Sequence, residues 1–376
     1  MVDSRKYWVG FNLVRGIGAV RLRALLQYFG DIETAWNASP QALQAVGLGN
    51  KVVENFLQVR REVDLESVMR RIEAKGITVL IWDDEAYPRR LREIDQPPPV
   101  LYLRGSLLPT DEWTVAIVGT RRITAYGRQI TEEIATTLAR SGVTIVSGLA
   151  RGVDSVAHKA ALDAGGRTIA VLGSGVDVIY PSEHRPLAER MILSGAVLSD
   201  YAPGTNPDGV NFPARNRIIS GLSLAVIVVE AGQQSGALIT AEFAAEQGRD
   251  VFAVPGNINA PQSVGCNALI QQGARPLLQP RDVLDALDLT MVQEQRSART
   301  VLPADETEKT LLAVIGQQPI HIDDIRTQVG QPVEQVTAAL AMMELKGMVR
   351  SVGGMRYVAV RELTPDYDAV DSDENK

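Results

Sequence analysis

The chain carries a single cysteine, Cys266, in 376 residues. One thiol excludes an internal disulfide framework and any cysteine zinc cluster. The histidines His158, His184 and His321 are far apart and show no metal-ligand spacing. No apolar run approaches the length of a bilayer-crossing helix. Arg15 and charged neighbours interrupt the N-terminus, so it has no signal-peptide core. The expected setting is soluble, reducing and cytoplasmic, without a membrane. An excess of basic residues is also missing. The net charge of -7 excludes an indiscriminate polybasic binder but leaves room for a local basic cleft. The Walker spacing ending in Gly-Lys-Ser/Thr occurs nowhere. Gly173-Ser174-Gly175 is a Gly-x-Gly, but alone it does not make a dinucleotide fingerprint. No nicotinamide or ATP site is expected, and no cofactor or metal.

What is present is ordinary globular material, 45% hydrophobic and 22% charged. The length implies two or three domains. Residues 1–70 read as a small helical domain. Gly16-Ile17-Gly18 precedes one apolar helical face and Gly47-Leu48-Gly49 precedes another. The pattern suits a duplicated helix-hairpin-helix that meets DNA phosphates, and equally a helical packing or protein-contact domain. Residues 75–288 alternate strand and helix. Strands are expected at Ile77-Ile81, Val100-Leu103, Thr114-Val118, Val143-Ser147, Thr168-Leu172, Ala196-Ser199, Leu224-Val229 and Val251-Val254. Continuous apolar strands between helices predict an α/β, Rossmann-like, mostly parallel doubly wound sheet. A polar stretch over residues 289–304 reads as a linker. Residues 305–361 suggest a C-terminal winged helix, with helices near Glu308-Ile315, Ile322-Val329 and Val333-Lys346 and a wing around Gly353-Gly354. Its last helix has only Lys346 as a positive charge beside Glu334 and Glu344, so protein contact suits it better than groove reading. Residues 362–376 are acidic and polar and read as a disordered tail.

Chemistry concentrates where strands end. Gly119, Thr120, Arg121 and Arg122 follow the first parallel strand, and Ser147, Gly148 and Arg151 follow the next. Gly173 and Ser174 come after a third. Ser235, Gly236 and Thr240 open the helix after the most apolar strand. Arg215, Asn216 and Arg217 sit in Phe212-Pro213-Ala214-Arg215-Asn216-Arg217 and are expected in a loop. Ligands of parallel sheets bind beyond the carboxyl ends of the strands. Guanidinium forks suit phosphate oxygens. These segments therefore predict one glycine-lined basic cleft for several phosphates in a row, which is a nucleic acid. Asp154 is read as a helix cap with His158 one turn on, and His158 as a structural hydrogen-bonding group. Tyr180 suits base stacking or the packing of the turn before Pro181. Glu230 is an acid in this basic setting, able to orient an arginine or to serve as an acid/base group. No nucleophile with a matched base is evident, so no enzyme activity is expected.

The ordered set Gly119-Thr120-Arg121, Ser147 through Asp154 with His158, Tyr180-Pro181, Phe212 through Gly221 and Val254-Pro255-Gly256 resembles the DprA (Smf) family of bacterial DNA-processing proteins. The resemblance covers most of the chain. It implies cooperative binding of single-stranded DNA, loading of RecA onto that DNA during natural transformation, and a homodimer formed through the Rossmann-like domain. It also implies a helical N-terminal domain of sterile-alpha-motif type. The alternative is a nucleotide N-glycosidic hydrolase of similar fold, which carries a Pro-Gly-Gly-x-Gly-Thr-x-x-Glu loop. The corresponding stretch here, Ser235 through Glu242, lacks the glycine run and that Thr-to-Glu spacing. A sensor of free nucleotide is a third reading.

Overall fold

The computed structural model describes residues 4–289, 306–315, 320–345, 349–352 and 354–359. Contacts divide the chain once, into Met1–Thr290 and Met291–Lys376. Residues 290–304 of the expected linker and the acidic tail 362–376 lie outside the described residues.

The first unit opens with helices Arg5–Leu13, Ala19–Phe29, Ile32–Asn37, Pro40–Ala45, Asn50–Glu62 and Leu65–Ala74. Local chemistry sets several of their starts. Asp31 caps one helix by accepting the Thr34 N–H, and Ser39 caps the next ahead of Pro40. Gly16 and Gly47 take φ of +99° and +93°, a region that L side chains avoid, where the chain turns into the next helix. Ile17 and Leu48, inside the two Gly-x-Gly turns, are buried. The helix after the second turn packs on the first turn, with Asn55 donating to the Arg15 carbonyl at 3.0 Å.

These helices pack on one another, with the Phe11, Trp36 and Phe56 rings 5.1–5.3 Å apart, and their core continues into the sheet. Trp8, Leu43 and Phe56 join Tyr102, Ala170, Leu172 and Val197 of the sheet region in one apolar cluster. The segment read as a separate domain over residues 1–70 is therefore part of the same compact unit as the sheet.

The sheet has nine strands: β1 Thr78–Ile81, β2 Val100–Gly105, β3 Thr114–Val118, β4 Thr144–Ser147, β5 Thr168–Val171, β6 Ala196–Ser199, β7 Ala225–Val228, β8 Asp250–Ala253 and β9 Arg275–Pro276. Their order is β1-β2-β6-β5-β4-β3-β7-β8-β9. From β6 to β9 every pairing is parallel, and β2 runs antiparallel to both neighbours. Every residue of β3 through β7 is buried, as strands covered by helices on both faces must be. The expected fold class, an α/β mostly parallel sheet with a helical start and a C-terminal winged helix, is the one observed. The chain runs from β3 outward through β4 to β6, then returns to lay β7 on the other side of β3. Val118 pairs with Val228 across that return. The order of connections reverses between β3 and β7, which leaves a crevice beyond their carboxyl ends.

The second unit contains helices Glu306–Val314, Ile322–Val329 and Val333–Leu345 with strands β10 Ile320–His321, β11 Val349–Ser351 and β12 Arg356–Ala359. The strands pair in the order β10-β12-β11. Leu311, Ile325, Val336, Leu340 and Met343 fill its core. Gly330 stops one helix in the left-handed conformation.

Candidate functional site

A cleft of about 820 Å³ opens at the β3–β7 crevice. Its walls come from the segments that follow β3, β4, β5, β6 and β7 and from one helix, with Tyr180 after β5 and Pro207 and Gly209 after β6. Gly119, Thr120, Arg121 and Arg122 follow β3, Ala150 and Asp154 follow β4, and Ser235, Gly236 and Thr240 follow β7. The helix Asn211–Leu222 supplies Phe212, Pro213, Arg215 and Asn216.

The arginine-rich run is thus helical, and the expected loop at that place is corrected. The physical consequence is a fan. Consecutive residues on a helix point about 100° apart, so three polar neighbours reach three different strand ends. Arg215 turns inward and donates to the Val171 carbonyl at the end of β5. Asn216 donates to the Gly236 carbonyl at 3.2 Å, tying the helix to the loop after β7. Arg217 turns away, pairs with Asp200 at 2.7 Å and donates to the Gln96 carbonyl at 2.6 Å. Arg217 does not line the cleft.

Arg215 is only 4% exposed. Burial pushes its pKa down to about 10, against the pull of Asp154, and Arg121 lowers it further. Asp154 is buried too. Burial pushes its carboxyl up, and Arg215 with the Gly148 and Ala150 N–H groups holds it back. Those N–H groups donate to Asp154 at 3.0 and 3.3 Å. Gly152 occupies the N-cap of helix Val153–Asp163, so Asp154 braces the preceding loop instead of capping the helix. His158 pairs with Thr168 Oγ1 at 2.6 Å through Nδ1. The Thr168 hydroxyl donates to the Ile145 carbonyl at 2.8 Å, so it accepts from a protonated Nδ1. Nε2 is left buried without a partner. Burial, with His184 and Arg215 nearby, holds the imidazole pKa down at about 3.

Several of the expected site residues build the cleft without lining it. A side chain at Gly148 would place its Cβ 2.3 Å from the Arg215 guanidinium, and one at Gly173 would meet the Phe212 ring at 2.9 Å. These glycines make room for the groups that face the cleft. Ser147 Oγ donates to the Ile117 carbonyl at 2.6 Å and ties β4 to β3. Ser174 Oγ donates to the Val178 carbonyl at 2.7 Å and closes its own loop. Arg151 is exposed, pairs with Glu183 at 2.6 Å and does not line the cleft. Ser235 lines the cleft and also caps helix Gly236–Glu246.

The open side of the cleft carries a ladder of flat groups. Tyr180 and Phe212 have ring centroids 5.7 Å apart. The Arg121 guanidinium lies 5.6 Å from the Phe212 centroid. Tyr180 and Arg121 are exposed and Phe212 is half-buried. Sequence reasoning gave Phe212 no role of its own in the segment expected as a loop. The signal available was its place next to Arg215.

The acids are committed elsewhere. The buried Glu230 accepts from Thr124 N–H at 3.0 Å and from Thr124 Oγ1 at 2.5 Å, at the N-terminus of helix Ala125–Arg140. It stabilises that helix end and orients no arginine. Glu242 is exposed and is not part of the cleft wall. Among the described residues, no group of His, Cys, Asp and Glu could hold a metal ion, and no helix is long and apolar enough to cross a membrane.

Residues 78–288 match the family described as DNA recombination-mediator protein A, and residues 295–355 match the DprA winged helix domain. The Smf protein of Synechocystis sp. is 38% identical, covering 94% of this chain and 98% of its own length. The crystal structure of DNA processing protein A from Streptococcus pneumoniae aligns with a TM-score of 0.67 at 35% identity, covering 74% of this chain and 97% of that one. DNA processing protein A from Helicobacter pylori, described for its single-stranded DNA binding mode, aligns with a TM-score of 0.51 at 33% identity. That match covers 56% of this chain and 95% of the other.

Proposed function

This chain belongs to the DNA recombination-mediator protein A family, and we propose that it binds single-stranded DNA in the β3–β7 cleft and passes that strand to RecA. The observation that carries the reading is the Tyr180–Phe212–Arg121 ladder along an open basic cleft. Unpaired bases stack on such flat groups, each stack contributing roughly 1–3 kcal/mol. Arg121 and Arg122, with the hydroxyl groups of Thr120 and Ser235, meet phosphates. None of these groups selects a base edge, so binding is largely independent of sequence. A duplex keeps its bases stacked inside and gains little from the ladder.

The protein acts as a mediator and not as a covalent catalyst. It works in the cytoplasm as a homodimer, and two linked sites raise avidity on one strand through effective concentration. Ile258, Val264 and Leu278 are exposed apolar side chains late in the first unit, and self-association through the sheet domain would cover such groups. Membership in a family described as a recombination mediator supports the RecA-loading part of this reading.

The test is a salt series of binding to single- and double-stranded oligonucleotides of equal length, with RecA assembly on the single strand followed in parallel. Tight, salt-dependent single-strand binding and faster RecA assembly are expected, with the DNA and added nucleoside monophosphates left intact. Preference for duplex would overturn the ladder reading. Release of free base from either would establish the hydrolase instead.

A further inference from the structure

A second groove, of about 660 Å³, runs between helices Ala125–Arg140, Val153–Asp163 and Arg185–Ser194. Arg128, Arg140, Lys159 and Arg190 line it, with Glu132 and Asp163. Arg190 pairs with Asp163 at 2.6 Å. No ion pair within 4.0 Å engages Arg128, Arg140 or Lys159 among the described residues, and all three are exposed. The wall is thus locally basic on a chain of net charge -7.

Its position gives the charge a purpose. Two of its helices continue loops of the cleft: the segment holding Arg121 and Arg122 leads into Ala125–Arg140, and the loop holding Ala150 leads into Val153–Asp163. The third follows directly on the Tyr180–His184 segment. The groove therefore begins where the cleft loops end. Arg128 and Arg140 are twelve residues apart on one helix, a run of about 18 Å. No phenylalanine, tyrosine or tryptophan lines this groove, and its one imidazole, His184, is held by the Leu149 carbonyl at 2.8 Å, so it suits phosphates better than it suits stacked bases.

We propose that the strand bound in the cleft continues along this groove, with its phosphates on Arg128, Lys159 and Arg140. The inference rests on the single-strand reading of the cleft and extends it to a second, purely electrostatic subsite. One phosphate per cation should add about 2 in total to the slope of log affinity against log salt. Only an oligonucleotide long enough to leave the cleft would show this increment.

The experiment compares R128A/R140A/K159A with the unaltered protein on oligothymidylates of roughly 4 and roughly 16 nucleotides, lengths that span single-strand site sizes. The short strand should bind both proteins alike. The long strand should bind the variant at least tenfold more weakly, with its salt slope reduced by about 2. The charge-conserving R128K/R140K/K159R should restore both, and matching melting temperatures check the fold. Equal long-strand affinity and slope in variant and parent would overturn the proposal, as would an equal loss for both lengths. If the unaltered protein binds neither strand, the cleft reading itself fails and takes this subsite with it.

Discussion

The two walls of the cleft use the same residue type for opposite purposes. On the open wall, Arg121 is exposed and lies against an aromatic ring. On the inner wall, Arg215 is buried and spans the ends of β4 and β5 beside Asp154. A guanidinium that keeps its water can exchange it for a phosphate. One already stripped of water and held by the Val171 carbonyl serves as a rigid, positively charged floor. The difference separates groups that bind from groups that hold the binding surface in shape, although all are written as arginine.

Removing the inner cation should have the largest effect. Arg215→Ala leaves the Asp154 carboxylate buried without its counter-charge and should destabilise the protein by about 3–5 kcal/mol, read from urea or thermal unfolding. A melting temperature near that of the parent would place Arg215 with the exposed arginines and erase the distinction between the walls. Phe212→Ala should weaken single-strand binding by roughly 1–3 kcal/mol for the base it stacks, measured by fluorescence anisotropy. Unchanged affinity would remove the ladder from the site. The inner wall should also respond to acid. His158 has a folded pKa lowered to about 3, so between that value and about 6.5 the unfolded chain binds a proton that the folded chain does not. Stability should therefore fall as pH falls through this window, by up to about 2 kcal/mol from pH 7 to pH 5. His158→Gln should flatten that dependence, and an identical pH profile in the variant would refute the assignment. The smallest effect on stability belongs to Arg121→Ala, within about 0.5 kcal/mol, together with a salt slope flatter by about 0.7. A large loss of stability there would show that the open wall is structural too.

Much of this was readable from the chain. Ala225–Val228 and its parallel neighbours are continuous apolar runs bounded by glycine or polar residues, and burial on both faces leaves that signature. β9, only Arg275–Pro276 and exposed at both residues, carries no apolar pattern and was missed. The segments that meet at the cleft were legible because strand ends converge in this topology. The direction of each side chain was not. Arg215, Asn216 and Arg217 are adjacent in sequence, and only the phase of a helix decides that the last leaves the cleft for Asp200. That helix is buried on much of its surface, which blurs the periodicity that would have announced it. The pairing of Arg151 with Glu183 spans 32 residues and depends on how two loops fold toward each other. Phe212 could be assigned only once Tyr180 stood beside it.

The shared apolar cluster of the first unit has a consequence for how the chain is made. Trp8 and Phe56 leave the ribosome early, yet the sheet residues that complete their cluster extend to Val197. At translation rates of about 5–20 residues per second, the opening helices wait roughly 10–40 s for that partner. Through that interval the part of their apolar surface that meets the sheet stays uncovered, open to chaperones and proteases. The helical segment can gather its own rings early, yet its cover is completed only when the middle of the sheet arrives.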